Sequence, residues 1–178
     1  MALPWAVRQP CRVIEILVLT PDDWATWRHL RLAALSEAPY AFGSQLADWV
    51  GEGDAEARWR GRLGISESHN LVAMLDDHGV GMASGVPTSH VGIMELISMW
   101  VAPVARGRGV GDVLVRDIER WARTIGARVL RLSVAEDNVQ AAALYQRHGF
   151  QYTGELGDMM ADGVHRERVM EKAVALHL

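Results

Sequence analysis

The order of elements after residue 92 constrains this chain more than any other feature. Residues 93–101 form a long apolar run punctuated by Glu95 and Ser98. Residues 110–125 then carry apolar side chains at helical spacing, through Val110, Leu114, Ile118, Trp121 and Ile125. Residues 129–134 read as a strand, 139–148 as a short helix, and 150–156 and 166–173 as two closing strands. Gly126 and Gly149 stand where the two helices should end, because glycine adopts the left-handed conformation of a helix C-terminus without a Cβ clash. Strand, helix, strand, helix, strand requires at least one parallel crossover. Upstream, the runs at 71–75 and 80–86 flank the turn Asp76-Asp77-His78-Gly79 and predict an antiparallel hairpin. The expected fold is therefore α/β (α+β), a mixed sheet with helices on its faces.

The first part of the chain adds a strand at 12–19 and a helix that starts at Thr20-Pro21-Asp22-Asp23 and runs to about residue 36. Its signals are a capping hydroxyl, a proline at the first helical position and acids against the helix dipole. A second helical stretch, about 54–63, follows the connection Pro39-Tyr40-Ala41-Phe42-Gly43-Ser44. No repeat or linker divides the chain, so residues 1–178 are expected to form one domain. Cys11 is the only cysteine, which excludes an internal disulfide, and only Arg12 beside it could lower its pKa. The opening MALPWAVRQP lacks the apolar core of a signal peptide, and no apolar run approaches the ~20 residues that cross a bilayer. A cytoplasmic protein with no membrane partner is expected. A net charge of -4 gives no overall pull toward nucleic acid. Seven arginines do crowd residues 106–131, where a solvated helix face and a binding surface are both possible.

The segment Val101-Ala102-Pro103-Val104-Ala105-Arg106-Gly107-Arg108-Gly109-Val110-Gly111 joins a buried-type strand to an amphipathic helix. A glycine-rich turn feeding a helix presents free backbone N–H groups and the positive dipole end to an anion, and glycines let a phosphate approach the main chain. Glycines also simply close tight turns. A dinucleotide fingerprint would need glycine at position 112, where Asp112 stands, and a P-loop would need a Gly-Lys-Ser/Thr that is missing. The histidines lack metal-ligand spacing, so no metal is expected.

Arg106-x-x-Gly109-x-Gly111, preceded by Val101-x-Pro103, resembles the acyl-CoA signature of the GNAT superfamily of N-acyltransferases. Leu132-x-Val134-x3-Asn138-x2-Ala141-x2-Leu144-Tyr145-x3-Gly149-Phe150 is similar to the strand and helix that follow it in that superfamily. The two blocks cover residues 95–150, about a third of the chain. The resemblance implies a mostly antiparallel sheet of six to seven strands, with strands 93–101 and 129–134 splayed around the cofactor acetyl-CoA. Main-chain groups of Met99, Trp100 and Val101 would then pair with the pantetheine amides. Arg106 belongs to the signature, the backbone N–H groups of Gly107, Arg108, Gly109, Val110, Gly111 and Asp112 would hold the pyrophosphate, and Asn138 would contact the cofactor from the other side.

Acetyl transfer to an amine needs the amine neutral, yet a free alkylamine has a pKa near 10.4. By the same resemblance Glu95 is the general base, often acting through water; the other reading is a strand carboxylate paired to an arginine or facing solvent. Tyr145 matches the family's general acid, against a packing role, and a backbone N–H at Met99 or Trp100 would stabilise the oxyanion. His148 could act as acid or base or simply cap its helix. The acceptor is expected to be a small-molecule primary amine, such as an antibiotic or polyamine; the alternatives are a protein lysine or N-terminus, or an inactive CoA sensor. Residues 24–62 hold Trp24, Trp27, Tyr40, Phe42, Trp49 and Trp59, suited to a pocket wall or to core packing. Asp48, Glu52, Asp54 and Glu56 would suit a cationic acceptor or a solvated helix start. Arg31-x3-Leu35-x3-Pro39-x2-Phe42-Gly43-Ser44 resembles a bacterial subgroup whose acceptors vary, and a homodimer through the late strands is a further expectation.

Overall fold

A computed structural model describes residues 13–174, and Cys11 and Arg12 lie outside that range. The elements run β1 (Glu15–Leu19), α1 (Trp24–Glu37), α2 (Glu56–Leu63), β2 (His69–Leu75), β3 (His78–Pro87), β4 (Ile93–Val101), α3 (Val110–Thr124), β5 (Val129–Ala135), α4 (Val139–Arg147), β6 (Gln151–Met159) and β7 (Arg166–Ala173). The strands form one seven-stranded sheet in the order β1-β2-β3-β4-β5-β7-β6. Only β4 and β5 pair in parallel; every other neighbouring pair is antiparallel.

Local chemistry explains most boundaries. Asp23 accepts hydrogen bonds from both the N–H and the hydroxyl of Thr20, each at 2.8 Å, which fixes the turn that leads into α1. Asp76 and Asp77, with φ of 51° and 62°, make the tight turn between β2 and β3 that the right-handed twist of a hairpin favours. Gly126 ends α3 at φ 73°, where the Ala127 N–H donates back to the Ala122 carbonyl at 2.9 Å. Gly149 ends α4 in the same way, with the Phe150 N–H donating to the Tyr145 carbonyl. The second helix begins at Glu56 rather than Asp54, because the Asp54 carboxylate is held by Arg28 and by Trp59 Nε1.

Alternation along the central strands sends side chains into two cores. Leu71 and Ala73 join Leu96, Leu114, Ile118, Leu130 and Phe150 under α3 on one face. Val72 points the other way and packs with Met82, Trp100 and the α1 and α2 residues Trp27, Leu30, Leu35 and Trp59. Trp27 and Trp59 are fully buried, so these two aromatics are core residues. Burying each large aliphatic side chain of α3 is worth about 1.5–3 kcal/mol, which ties the helix firmly to the sheet. Gly85 of β3 makes that contact possible: a Cβ there would stand 2.2 Å from the Trp121 ring.

Candidate active site

The parallel pairing of β4 with β5 covers only Ile93–Val129, Met94–Leu130 and Glu95–Arg131. Beyond Glu95 the two strands diverge, β4 continuing to Val101 and β5 to Ala135. A β-bulge lies in the same stretch of β4, in its pairing with β3. Ser84 opposes Ile97 and Met82 opposes Trp100, so Ala83 faces two residues of β4, and Ser98 takes a φ of 55°. A non-glycine residue at positive φ leaves no compositional signal, and the bulge was not foreseeable from the sequence.

The gap opens into a cavity of about 400 Å³ lined by Met99, Trp100 and Val101 on one side and by Asn138, Leu144 and Tyr145 on the other. Its third wall is the turn before α3, where Gly107 and Gly109 have φ of 73° and 83°. The first backbone bond into α3 runs from Val113 N–H to the Gly109 carbonyl at 3.1 Å, leaving the N–H groups of Val110, Gly111 and Asp112 without intrahelical acceptors. A Cβ built on Gly107 or Gly109 would meet nothing within 4 Å, so the space over the turn is open to a ligand. The turn can therefore receive an anion on its main chain.

Arg106 and Asp112 border this cavity, and both are engaged within the chain. Arg106 Nε donates to the Val101 carbonyl at 3.1 Å and Nη2 to Glu37 at 2.6 Å, which straps the turn to β4 and α1. Glu37 also accepts from Trp100 Nε1 at 3.0 Å; that bond and the one from Arg106 hold its carboxyl below the ordinary range. Burial pushes the Asp112 carboxyl up, but hydrogen bonds from His148 and Arg147 outweigh it and leave the group ionised and paired. Its charge is thus compensated by Arg147 and His148. His148 is a partner of Asp112 and lines neither cavity. Arg108 is exposed and stands outside the cavity lining, whereas Asn138 lines it while its Oδ1 caps α4 at the Ala141 N–H. Three later arginines of the cluster are engaged within the chain: Arg120 with Asp117, Arg123 with Glu119, and Arg131 with Glu155 and Glu171.

A second cavity, of about 780 Å³, shares Ala41, Met99, Ser133 and Tyr145 with the first. Tyr145 is 6% exposed, packs edge-on against Phe150 at 5.9 Å, and burial pushes its phenol up, so it stays protonated at neutral pH. Glu95 lines the second cavity, and Arg131, which faces it across the strands, pairs instead with Glu155 and Glu171. Burial raises the Glu95 carboxyl; Arg131 opposes that shift and Asp158 reinforces it.

Sequence reasoning missed the other charged groups of this cavity. Asp158 and Glu167 join Glu95 at one wall, and burial raises Glu167 too, with Asp158 and Glu95 adding to it. They come from β6 and β7, far along the chain, and only the sheet order brings them to β4. Arg31 and Arg62 also line this cavity, from α1 and α2. The acidic run at 48–56 does not. Asp48 accepts from the Gln45 N–H, Asp54 pairs with Arg28 and Glu56 with Arg60, so these three serve local structure. Of the aromatics, Trp27, Phe42 and Trp49 line the second cavity and Tyr40 the first. Among the described residues no cluster of three or more His, Cys, Asp or Glu is arranged to hold a metal ion, and no helix is long and apolar enough to cross a membrane.

Comparison with known proteins agrees with this geometry. Residues 24–150 match the Acetyltransferase (GNAT) family. An aminoglycoside N(6')-acetyltransferase type 1 of Stenotrophomonas maltophilia is 30% identical over 138 residues, 75% of this chain and 84% of that protein. The fold is similar to that of a GNAT-family acetyltransferase from Streptococcus pneumoniae, with a TM-score of 0.76 at 20% identity over 92% of this chain and all of the other. It is also similar to yncA of Salmonella typhimurium, solved with its cofactor acetyl-CoA, with a TM-score of 0.73 at 20% identity over 93% and 96% of the two chains. The match over most of the chain, on a sheet split beside a glycine turn, establishes that this protein belongs to the GNAT family of acetyltransferases, which use acetyl-CoA.

Proposed function

We propose that the chain transfers the acetyl group of acetyl-CoA to the primary amine of a small molecule held in the larger cavity. The observation that carries this reading is the junction of the two cavities at Met99, Ser133 and Tyr145, with Glu95 on the wall of the second. The smaller cavity fits acetyl-CoA: the free N–H groups at the start of α3 suit a pyrophosphate, and β4 beyond Glu95 offers an unpaired edge to the pantetheine amides. Asn138 borders the same space. When bound, acetyl-CoA supplies an activated acetyl group as a thioester.

The chain's own residues then have separable tasks. Glu95, whose affinity for a proton is raised by burial, takes the proton from the incoming ammonium, directly or through water, so that the neutral amine can attack. The Ser98 bulge re-aims the following backbone N–H groups of Met99 and Trp100, which suits them to hold the acetyl oxygen. Tyr145 keeps its proton at neutral pH and stands where the cavities meet, available to donate to the departing sulfur. The relative named for an aminoglycoside supports a small-molecule amine as acceptor.

The test is calorimetric titration with acetyl-CoA followed by thiol release across a panel of amino acids, polyamines, aminoglycosides and peptides. Binding with release for one class of free small amines is the expected result. Release only with peptides or protein substrates would overturn the small-molecule reading.

A further inference from the structure

Three buried side-chain polar atoms have no hydrogen-bond partner among the described residues: Arg31 Nη1, Trp49 Nε1 and Arg62 Nη2. All three are N–H donors, and all three side chains line the larger cavity. A buried donor without an acceptor costs about 1–3 kcal/mol, and more when it carries charge. Native proteins keep such groups rarely, so three around one cavity call for a common acceptor.

Arg31 is the sharpest case. Its side chain is buried, 7% exposed, and among the described residues forms no ion pair or hydrogen bond; it stacks over the Phe42 ring at 4.5 Å. Arg62 lies over the Trp27 ring at 5.3 Å and gives one hydrogen bond, from Nη1 to Asn70 Oδ1 at 3.1 Å. Burial lowers both guanidinium pKa values to about 10, and for Arg31 the neighbouring charge of Arg62 adds to the shift. No carboxylate opposes either shift.

The cavity is therefore polarised. Arg31, Arg62 and Trp49 offer unmatched donors, while Glu95, Asp158 and Glu167 gather carboxylates on the same cavity's wall. A polycation would meet attraction at the second group and repulsion at the first. A molecule with an ammonium and an anion satisfies both, and a carboxylate matches the planar fork of a guanidinium.

We propose that the acceptor is a small primary amine that also bears a carboxylate, of the amino-acid type, with Arg31, Arg62 and Trp49 holding the carboxylate and the amine presented to Glu95. The amine end rests on the acetyl-transfer reading above; the carboxylate end rests on the unpartnered donors alone.

The experiment has a transfer arm and a binding arm. Thiol release is measured for the proteinogenic amino acids, each against its C-terminal amide, with wild type, Arg31→Gln, Arg31→Lys and Arg62→Gln. Wild type should prefer acid over amide by about 10²-fold or more in kcat/KM, because the amide leaves the buried donors unmatched. Arg31→Gln and Arg62→Gln should each reduce that preference, Arg31→Lys should retain part of it, and acetyl-CoA affinity should be unchanged in all, which also reports correct folding. Equal use of acids and amides, or a preference that survives both glutamine variants, overturns the inference and leaves acetyl transfer standing. In the binding arm, N-acetyl amino acids are titrated without turnover. Arg31-dependent binding supports the inference even if no amine is acetylated, a result that would overturn the transfer reading instead.

Discussion

Tyr145→Phe separates chemistry from packing because the ring and the hydroxyl have different surroundings. The ring is buried and packs edge-on against Phe150, and phenylalanine keeps that contact. Among the described residues the hydroxyl forms no hydrogen bond, so removing it breaks no pairing there. The stability change should stay within about 0.5 kcal/mol, which for a domain of this size is about 2 °C or less in Tm. Turnover has a larger stake. If the phenol donates to the departing sulfur, its loss should lower kcat by about 10²-fold, near 2.7 kcal/mol of barrier. Acetyl-CoA affinity should change little, since the turn before α3 and the edge of β4 are untouched. The assay is thiol release with the best amine of the panel, run beside thermal unfolding and acetyl-CoA titration. A kcat within a few-fold of wild type would refute the acid role and leave Tyr145 as a packing residue.

Three further outcomes follow from the same structure. Gly109→Glu should abolish acetyl-CoA binding in calorimetry, because it forces a side chain onto a residue at φ 83° and places a carboxylate over the open turn; normal affinity would displace the pyrophosphate from this turn. Gly85→Ala puts a Cβ 2.2 Å from the Trp121 ring, which stacks on His69 at 5.4 Å, so overpacking of about 1–3 kcal/mol should lower Tm by several degrees in a melting curve. Glu95 and Glu167 are raised above the ordinary 4.5, so the folded state keeps protons there that the unfolded chain has released, and stability falls as pH rises from 4.5 through the raised values. Glu167→Gln should therefore raise Tm near neutral pH and leave it unchanged below the ordinary carboxylate range. Glu95→Gln should do the same and should also remove the acid limb of the kcat/KM profile.

How far the site was legible depended on where its information lay. The glycine turn, Asn138 and Tyr145 sit within short local patterns, and each lines the smaller cavity. Arg106 was legible as part of the signature, but its strap to Val101 and Glu37 was not, because Glu37 belongs to a helix at the other end of the chain. The acidic run at 48–56 drew attention by its density, yet Asp48, Asp54 and Glu56 are taken up locally by the Gln45 N–H, Arg28 and Arg60. The carboxylates that do face the cavity, Asp158 and Glu167, are separated in sequence from Glu95 and carried no pattern.

By itself the sequence determined the elements and their crossover. Helical spacing at 110–125, glycines at 126 and 149 and the hairpin turn at 76–79 act through contacts a few residues long, where propensity and periodicity decide. It also determined the phosphate-type turn, because free N–H groups at a helix start are a local property. Tertiary structure alone decided the strand order β4-β5-β7-β6, the bulge at Ser98 and the polarised larger cavity. These depend on which distant strands pair and which charges are left unmatched after packing. Burial and charge compensation are sums over the whole fold, and no window of sequence contains them.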